Sequence, residues 1–216
     1  MPQRPVPGAR RQMLALIVTV VLLLPALPVA GQGSEPISDP ATGVLAWPEL
    51  DGVPANHVDG EVTYPMVPPA GGPHNPIWQD CGVYTAPIYN WHAVHSLEHG
   101  AVWITYDPSL PAADVAHLQT MANQGHIIVS PYPGLTDPVV ASAWGRQIRL
   151  DGAGDARLQQ FIIEFRRNPN TAPEPNATCS MGTTATMATG QLPQQPPAAD
   201  APASGGDIRD EYKESD

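Results

Sequence analysis

His74, His92, His95 and His99 fall within 26 residues, and Glu98 stands among them. Two imidazoles four residues apart on a helix share one face, the spacing at which one metal ion takes two nitrogen ligands. His95 and His99 have that spacing, and His92, three residues before His95, reaches the same face. His74 lies in Val67-Pro68-Pro69-Ala70-Gly71-Gly72-Pro73-His74-Asn75-Pro76. Such a stretch is stiff and irregular, and a ligand on it can face a helix. The expected ligands are therefore His74, His95 and His99, with His92, Met66 and Met121 as additional candidates. A thioether or thiolate beside imidazoles points to copper. With methionines available and an oxidising compartment expected, copper is the preferred ion and zinc the alternative. Single histidines are more often ordinary surface or core residues, and His57, His117 and His126 are read that way.

His95-Ser96-Leu97-Glu98-His99 also matches H-x-x-E-H, a zinc-hydrolase pattern in which two histidines bind zinc and the glutamate activates water. Catalysis by Glu98 would need a long helix and a further carboxylate from a later helix, for which Glu164 is the candidate. Gly100 cuts the helix short, so Glu98 is first read as a residue that orients a metal-bound imidazole. No nucleophile elbow, phosphate loop or dinucleotide fingerprint is present. Three readings stand: a non-catalytic or electron-transfer metal protein, a zinc-dependent hydrolase, and a structural or interaction domain whose histidines form a hydrogen-bonded core.

The elements that must position these residues follow from local pattern. Asn90 caps a short helix through His99, with Gly100 past its end. Ala101–Tyr106 is a β-branched and aromatic strand. A helix opens at Leu110–Asp114, carries Val115, Leu118 and Met121, and ends near Gly125. His126–Ser130 is a strand, Val139–Leu150 another with Trp144 inside it, and Glu61–Met66 a short one. Arg157–Arg167 is an amphipathic helix burying Leu158, Phe161, Ile162 and Phe165. The expected fold is α+β: a small, mostly antiparallel sheet with two or three helices and a Pro/Gly-rich N-terminal loop region.

Arg4, Arg10 and Arg11 precede an uncharged run from Met13 to Ala30. A basic head before an apolar run is the pattern of a signal peptide or an N-terminal membrane anchor, and residues 1–30 are read as one of the two. Residues 31–48 are read as a linker, 49–179 as a single domain and 180–216 as a disordered tail of Thr, Ala, Gly, Gln and Pro. The protein is thus expected outside the cytoplasm, secreted or anchored, the membrane being a partner if the segment is retained. Losing residues 1–30 removes three arginines and no acid, taking the net charge from −11 to −14. That balance excludes nucleic-acid binding, which needs basic surface. In an oxidising compartment Cys81 and Cys179 are expected to pair; the competing role for Cys81 is a thiolate metal ligand.

Pro68-Pro69-Ala70-Gly71-Gly72-Pro73-His74, Cys81-Gly82-Val83-Tyr84, Val94-His95-Ser96-Leu97-Glu98-His99-Gly100 and Ala143-Trp144-Gly145-Arg146 together resemble the bacterial domain of unknown function 3105. Ile104-Thr105-Tyr106 and Pro173-Glu174 fit as well, and the resemblance spans roughly His57 to Cys179. Where that family usually has Thr-Ser after the two prolines, this chain has Ala70-Gly71. The resemblance implies an exported or membrane-anchored protein, implies no activity, and marks His74, Tyr84, His95, Glu98 and His99 as motif residues. Tyr84 joins Glu98 as an outer residue that orients the ligands.

Overall fold

The computed structural model describes residue 1 and residues 35–188. The chain divides between Gln32 and Gly33, and everything described below lies after that division. The N-terminal basic and apolar segment lies outside the described residues, as do residues 189–216 of the stretch read as a tail; its first residues, 180–188, are described and lie on the domain, Thr183 N–H donating to the Trp78 carbonyl and Met187 N–H to that of Pro87. Among the described residues no helix is long and apolar enough to cross a membrane.

Among the described residues seven strands form one sheet: β1 (Ile37–Ser38), β2 (Leu45–Ala46), β3 (Gly82–Val83), β4 (Val102–Tyr106), β5 (Ile127–Pro131), β6 (Val139–Ala143) and β7 (Arg146–Leu150), in the order β1-β2-β7-β6-β4-β5-β3. The sheet is mixed. β1, β2, β7, β6 and β4 pair antiparallel in turn, whereas β4–β5 and β5–β3 are parallel. The parallel pair arises because helix α2 (Ala112–Met121) separates β4 from β5, and a crossover of that length returns the chain in the same direction. The stretch Val139–Leu150, expected as one strand, is a hairpin. Gly145, at φ 66°, lies in its tight turn, and Trp144 is held there by an Nε1 bond to the Leu50 carbonyl at 2.7 Å. Glu61–Met66 forms no strand. Residues 37–46, within the stretch read as linker, supply the two outermost strands at one end of the sheet instead, with Val44 and Trp47 buried beside them.

Strand alternation sends side chains to two cores. Val102, Ile104, Tyr106, Ile127, Val129 and Ile148 face α2 and α3 (Ala156–Phe165), meeting Leu118, Leu158, Phe161 and Ile162. The alternate residues Trp103 and Ile128 face the opposite layer, with Trp144, Tyr64, Tyr84 and Ile88. There α1 (Asn90–Glu98) contributes Ala93, Val94 and Leu97. Burial on both faces explains why β4, β5 and β6 are buried at every residue. Polar groups of the strands on this side are buried with partners: Trp103 Nε1 donates to Ser130 Oγ, and Gln147 Nε2 to the Pro68 carbonyl.

Candidate metal centre

Helix α1 is unusual in being buried from Trp91 to Glu98. One side is apolar and packs on the sheet; His92, His95, Ser96 and His99 recur at helical spacing on the other and face an irregular loop, residues 72–79. The helix stops where Gly100 adopts φ 84°. Gly100 N–H donates to the Leu97 carbonyl and Ala101 N–H to that of Ser96, both at 2.9 Å, the Schellman arrangement. Glu98 and His99 therefore occupy the helix's final turn, where a backbone reversal at Gly100 brings residues 167–175 against them. Arg167 N–H donates to the Gly100 carbonyl at 2.8 Å, and Glu174 N–H to that of Glu98 at 3.0 Å.

Each of the four motif histidines commits its Nδ1 to a backbone carbonyl: His74 to Gly72 at 2.9 Å, His92 to Ile77 at 2.6 Å, His95 to Asn75 at 2.7 Å and His99 to Thr178 at 2.7 Å. A carbonyl only accepts, so Nδ1 carries the proton and Nε2 of each neutral ring is a lone pair. That tautomer, fixed by the far nitrogen, is the one a metal-binding imidazole needs. Burial holds His92 and His99 below the ordinary imidazole range. It drives His95 to about 3, against the opposing effect of its bond to Asn75 and helped by the neighbouring His74, His99 and His57.

His57, His74, His95 and Glu98 converge, with one ligand-capable atom from each lying within 4.8 Å of all the others. His57 was read from the sequence as an ordinary loop residue. The backbone brings it in: Val58 N–H donates to the His74 carbonyl and His74 N–H to that of Asn56, a parallel bridge that sets His57 beside His74. Its ring centroid stands 5.1 Å from that of His74 and 4.9 Å from that of His95. His74, His95 and Glu98 are buried, and His57 alone is exposed. Sequence spacing carried no signal for a partner 17 residues away across two loops.

His74 Nε2 stands 3.0 Å from Glu98 Oε2, yet the contact lacks hydrogen-bond geometry and Nε2 has no hydrogen-bond partner. Glu98 Oε1 accepts from Ala55 N–H at 3.2 Å. With Nδ1 already donating, a neutral His74 presents a lone pair to a carboxylate oxygen in a dry interior. Two acceptors at that separation require a proton or a cation between them. Ligand atoms on a tetrahedral zinc are about 3.4 Å apart, given bonds near 2.0–2.2 Å. The His74–Glu98 separation is close to that, and a spread of up to 4.8 Å within the group asks the side chains to draw inward by about an ångström.

The remaining sequence candidates lie as follows. His99 is buried outside the four-residue group, its Nε2 3.5 Å from the half-exposed Glu174 Oε2 and its ring against those of His95 and Trp78. His92 Nε2 is buried without a hydrogen-bond partner. Met121 packs on the α2–α3 core, Met66 is half-buried before Pro68, and Glu164 is exposed on α3. Cys81 and Cys179 form a disulfide with Cα atoms 5.3 Å apart, so neither offers a thiolate. Tyr84 is buried, its hydroxyl pushed above the usual phenol range by burial, and donates to the Asp80 carbonyl at 2.7 Å, bracing the end of the loop that aims the rings.

No curated protein and no solved structure matches the chain. The sequence profile of a family described as "Protein of unknown function (DUF3105)" matches residues 57–181, a span that opens on His57, takes in every residue of the cluster and closes just past Cys179. With more than half of its length matched, the chain belongs to the DUF3105 family.

Proposed function

We propose that the domain is an extracytoplasmic binder of one divalent transition-metal ion, held by His57, His74, His95 and Glu98. The observation that carries the reading is the buried contact of His74 Nε2 with Glu98 Oε2 at 3.0 Å, in which Nε2 has no hydrogen-bond partner. Three imidazoles, two of them (His74 and His95) aimed by backbone carbonyls, and one carboxylate form a borderline donor set that suits zinc, copper(II) or iron(II). The methionines favoured copper; Met121 now stands on the far side of the sheet and the cysteines are bonded to each other. Zinc therefore moves ahead of copper. Export is supported by the disulfide, which persists in oxidising compartments. An ion on three buried ligands and one exposed one can be loaded and given up at the surface, which suits metal handling. The hydrolase reading needs both His95 and His99 on the ion with Glu98 free, whereas Glu98 is the residue that joins His95 here.

Elemental analysis of tag-free protein from its native compartment, beside the His74→Ala/His95→Ala variant, tests this. About one equivalent of metal in the wild type, lost in the variant, is expected. Absence of metal from the wild type, including after reconstitution with zinc and copper, overturns the reading and leaves a His74–Glu98 ion pair within a structural core.

A further inference from the structure

The loop that aims the rings ends at a cysteine. Carbonyls of Gly72, Asn75, Ile77 and Gln79 hold His74, His95, His92 and Ser96, and Cys81 follows two residues later. Across this loop runs a second segment, residues 174–183. Glu174 N–H bonds the Glu98 carbonyl, Thr178 holds His99, and Cys81 N–H donates to the Cys179 carbonyl at 2.8 Å. Asp80 N–H donates to the Thr183 carbonyl, Thr183 N–H to that of Trp78, both at 2.8 Å, and Gly182 N–H to Asp80 Oδ1 at 2.6 Å. At Gly182 a Cβ would overlap the Trp78 carbonyl and indole, so the two segments are in backbone contact. Trp78 in turn lies against the rings of His95 and His99, at 5.7 and 5.2 Å. The Cys81–Cys179 bond is the covalent fastening of this pair, and Cys81 is partly exposed.

We propose that the Cys81–Cys179 disulfide is a redox latch on the metal centre: reduction by a dithiol lets the two segments part, loosens the loop whose Asn75 carbonyl aims the ligand His95, and releases the ion. This rests on the metal-binding reading above. One thiolate of the reductant attacks Cys81 Sγ, forming a mixed disulfide and expelling the Cys179 thiolate. The second thiol of the reductant then displaces the Cys81 thiolate. Two electrons pass to the protein, the reductant becomes a disulfide, and its two protons end on the cysteines. Groups that orient metal-bound imidazoles typically carry 10–100-fold in affinity, and that is the weakening expected on opening. Because coupling is reciprocal, bound zinc must make the disulfide harder to reduce by the same factor, about 30–60 mV for a two-electron couple.

The test compares wild-type protein with Cys81→Ser/Cys179→Ser, which needs no reductant in the cuvette. Zinc affinity is read by competition with a chromophoric chelator, zinc release by stopped flow, and fold by circular dichroism. A 10–100-fold weaker Kd with faster release and an unchanged spectrum is expected. An affinity within threefold of wild type in a folded double variant overturns the latch and leaves the disulfide a stabiliser only. If the variant does not fold, the disulfide's midpoint potential is measured in the wild type with and without saturating zinc. A shift of about 30–60 mV to lower potential supports the latch, and no shift overturns it. A wild type that binds no zinc overturns the metal reading itself, which separates the two failures.

Discussion

Replacing Glu98 by glutamine separates a cation site from a ready-made ion pair, because the two predict opposite changes in stability. The side chain is buried with Oε1 on Ala55 N–H and Oε2 3.0 Å from His74 Nε2. In the metal-free protein with neutral His74, that second contact sets lone pair against lone pair. Glutamine keeps an oxygen for Ala55 and turns its amide N–H₂ towards His74 Nε2, so an unmet acceptor gains a donor. An unsatisfied buried polar group costs about 1–3 kcal/mol. Glu98→Gln should therefore stabilise the metal-free protein by about that much, at roughly 2–4 °C in Tm per kcal/mol for a domain of this size. Towards a dication the same change removes a formal charge: near 4 Å at an effective dielectric of 20, each unit-charge pair amounts to about 4 kcal/mol. Even with most of that returned by the glutamine oxygen and relaxation, affinity should fall by about 100-fold or more. Calorimetry in chelator gives the first quantity and isothermal titration with zinc the second. A lower metal-free Tm together with unchanged zinc affinity would refute the reasoning, since it would mean that Glu98 serves a protonated His74 and nothing else.

Three further outcomes are expected. His95 is held neutral to about pH 3, so the native metal-free protein takes up fewer protons than the unfolded chain between about pH 6.5 and 3. Its stability should fall as pH drops through that window, by about 1.4 kcal/mol per pH unit from this ring. Urea midpoints against pH for wild type and His95→Gln test this, and parallel curves for the two would contradict it. Gly100→Ala should cost at least about 1 kcal/mol, because residue 100 has φ 84° and a Cβ there would meet the Arg167 backbone at 2.9 Å; a thermal melt that matches wild type would count against the packing described. Met121→Leu, a volume-conserving change in the α2–α3 core, should leave metal stoichiometry and affinity as they were; loss of one equivalent in elemental analysis would restore a sulfur ligand and with it copper.

The helix and its end were legible because the signals are local, Gly100 just past the last turn and histidines recurring on one side; Asn90, expected as the cap, is instead the first helical residue, with Tyr89 at the cap position and the Asn90 amide donating to the Tyr132 hydroxyl. Strands β4 and β5 were legible as β-branched runs closed by proline. Their parallel pairing was missed although a ten-residue helix between two strands already implies a crossover. Val139–Leu150 concealed its turn because no Asn or Asp accompanies Gly145, and Trp144 reads as a strand residue. Strands of two residues, such as Ile37–Ser38 and Leu45–Ala46, are too short to show any period and exist only by pairing, the first with the second and the second with β7. For the site, His74 and His95 were visible from residue type and spacing. The membership of Glu98 and His57 in one group depends on a parallel bridge between distant loops, which no local pattern encodes.

The aiming of every motif ring by a main-chain carbonyl bears on how such a centre could change over evolutionary time or be moved to another scaffold. A ring steered by a neighbouring carboxylate depends on two side chains, and either can be lost in one nucleotide change. Here Asn75, Ile77 and Thr178 steer through atoms that every amino acid possesses, so the identity of these residues is free to drift while the path of the loop is kept. What a transplant would have to copy is the trajectory of residues 72–79 and 174–179, which makes the loop backbone the heritable part of the design.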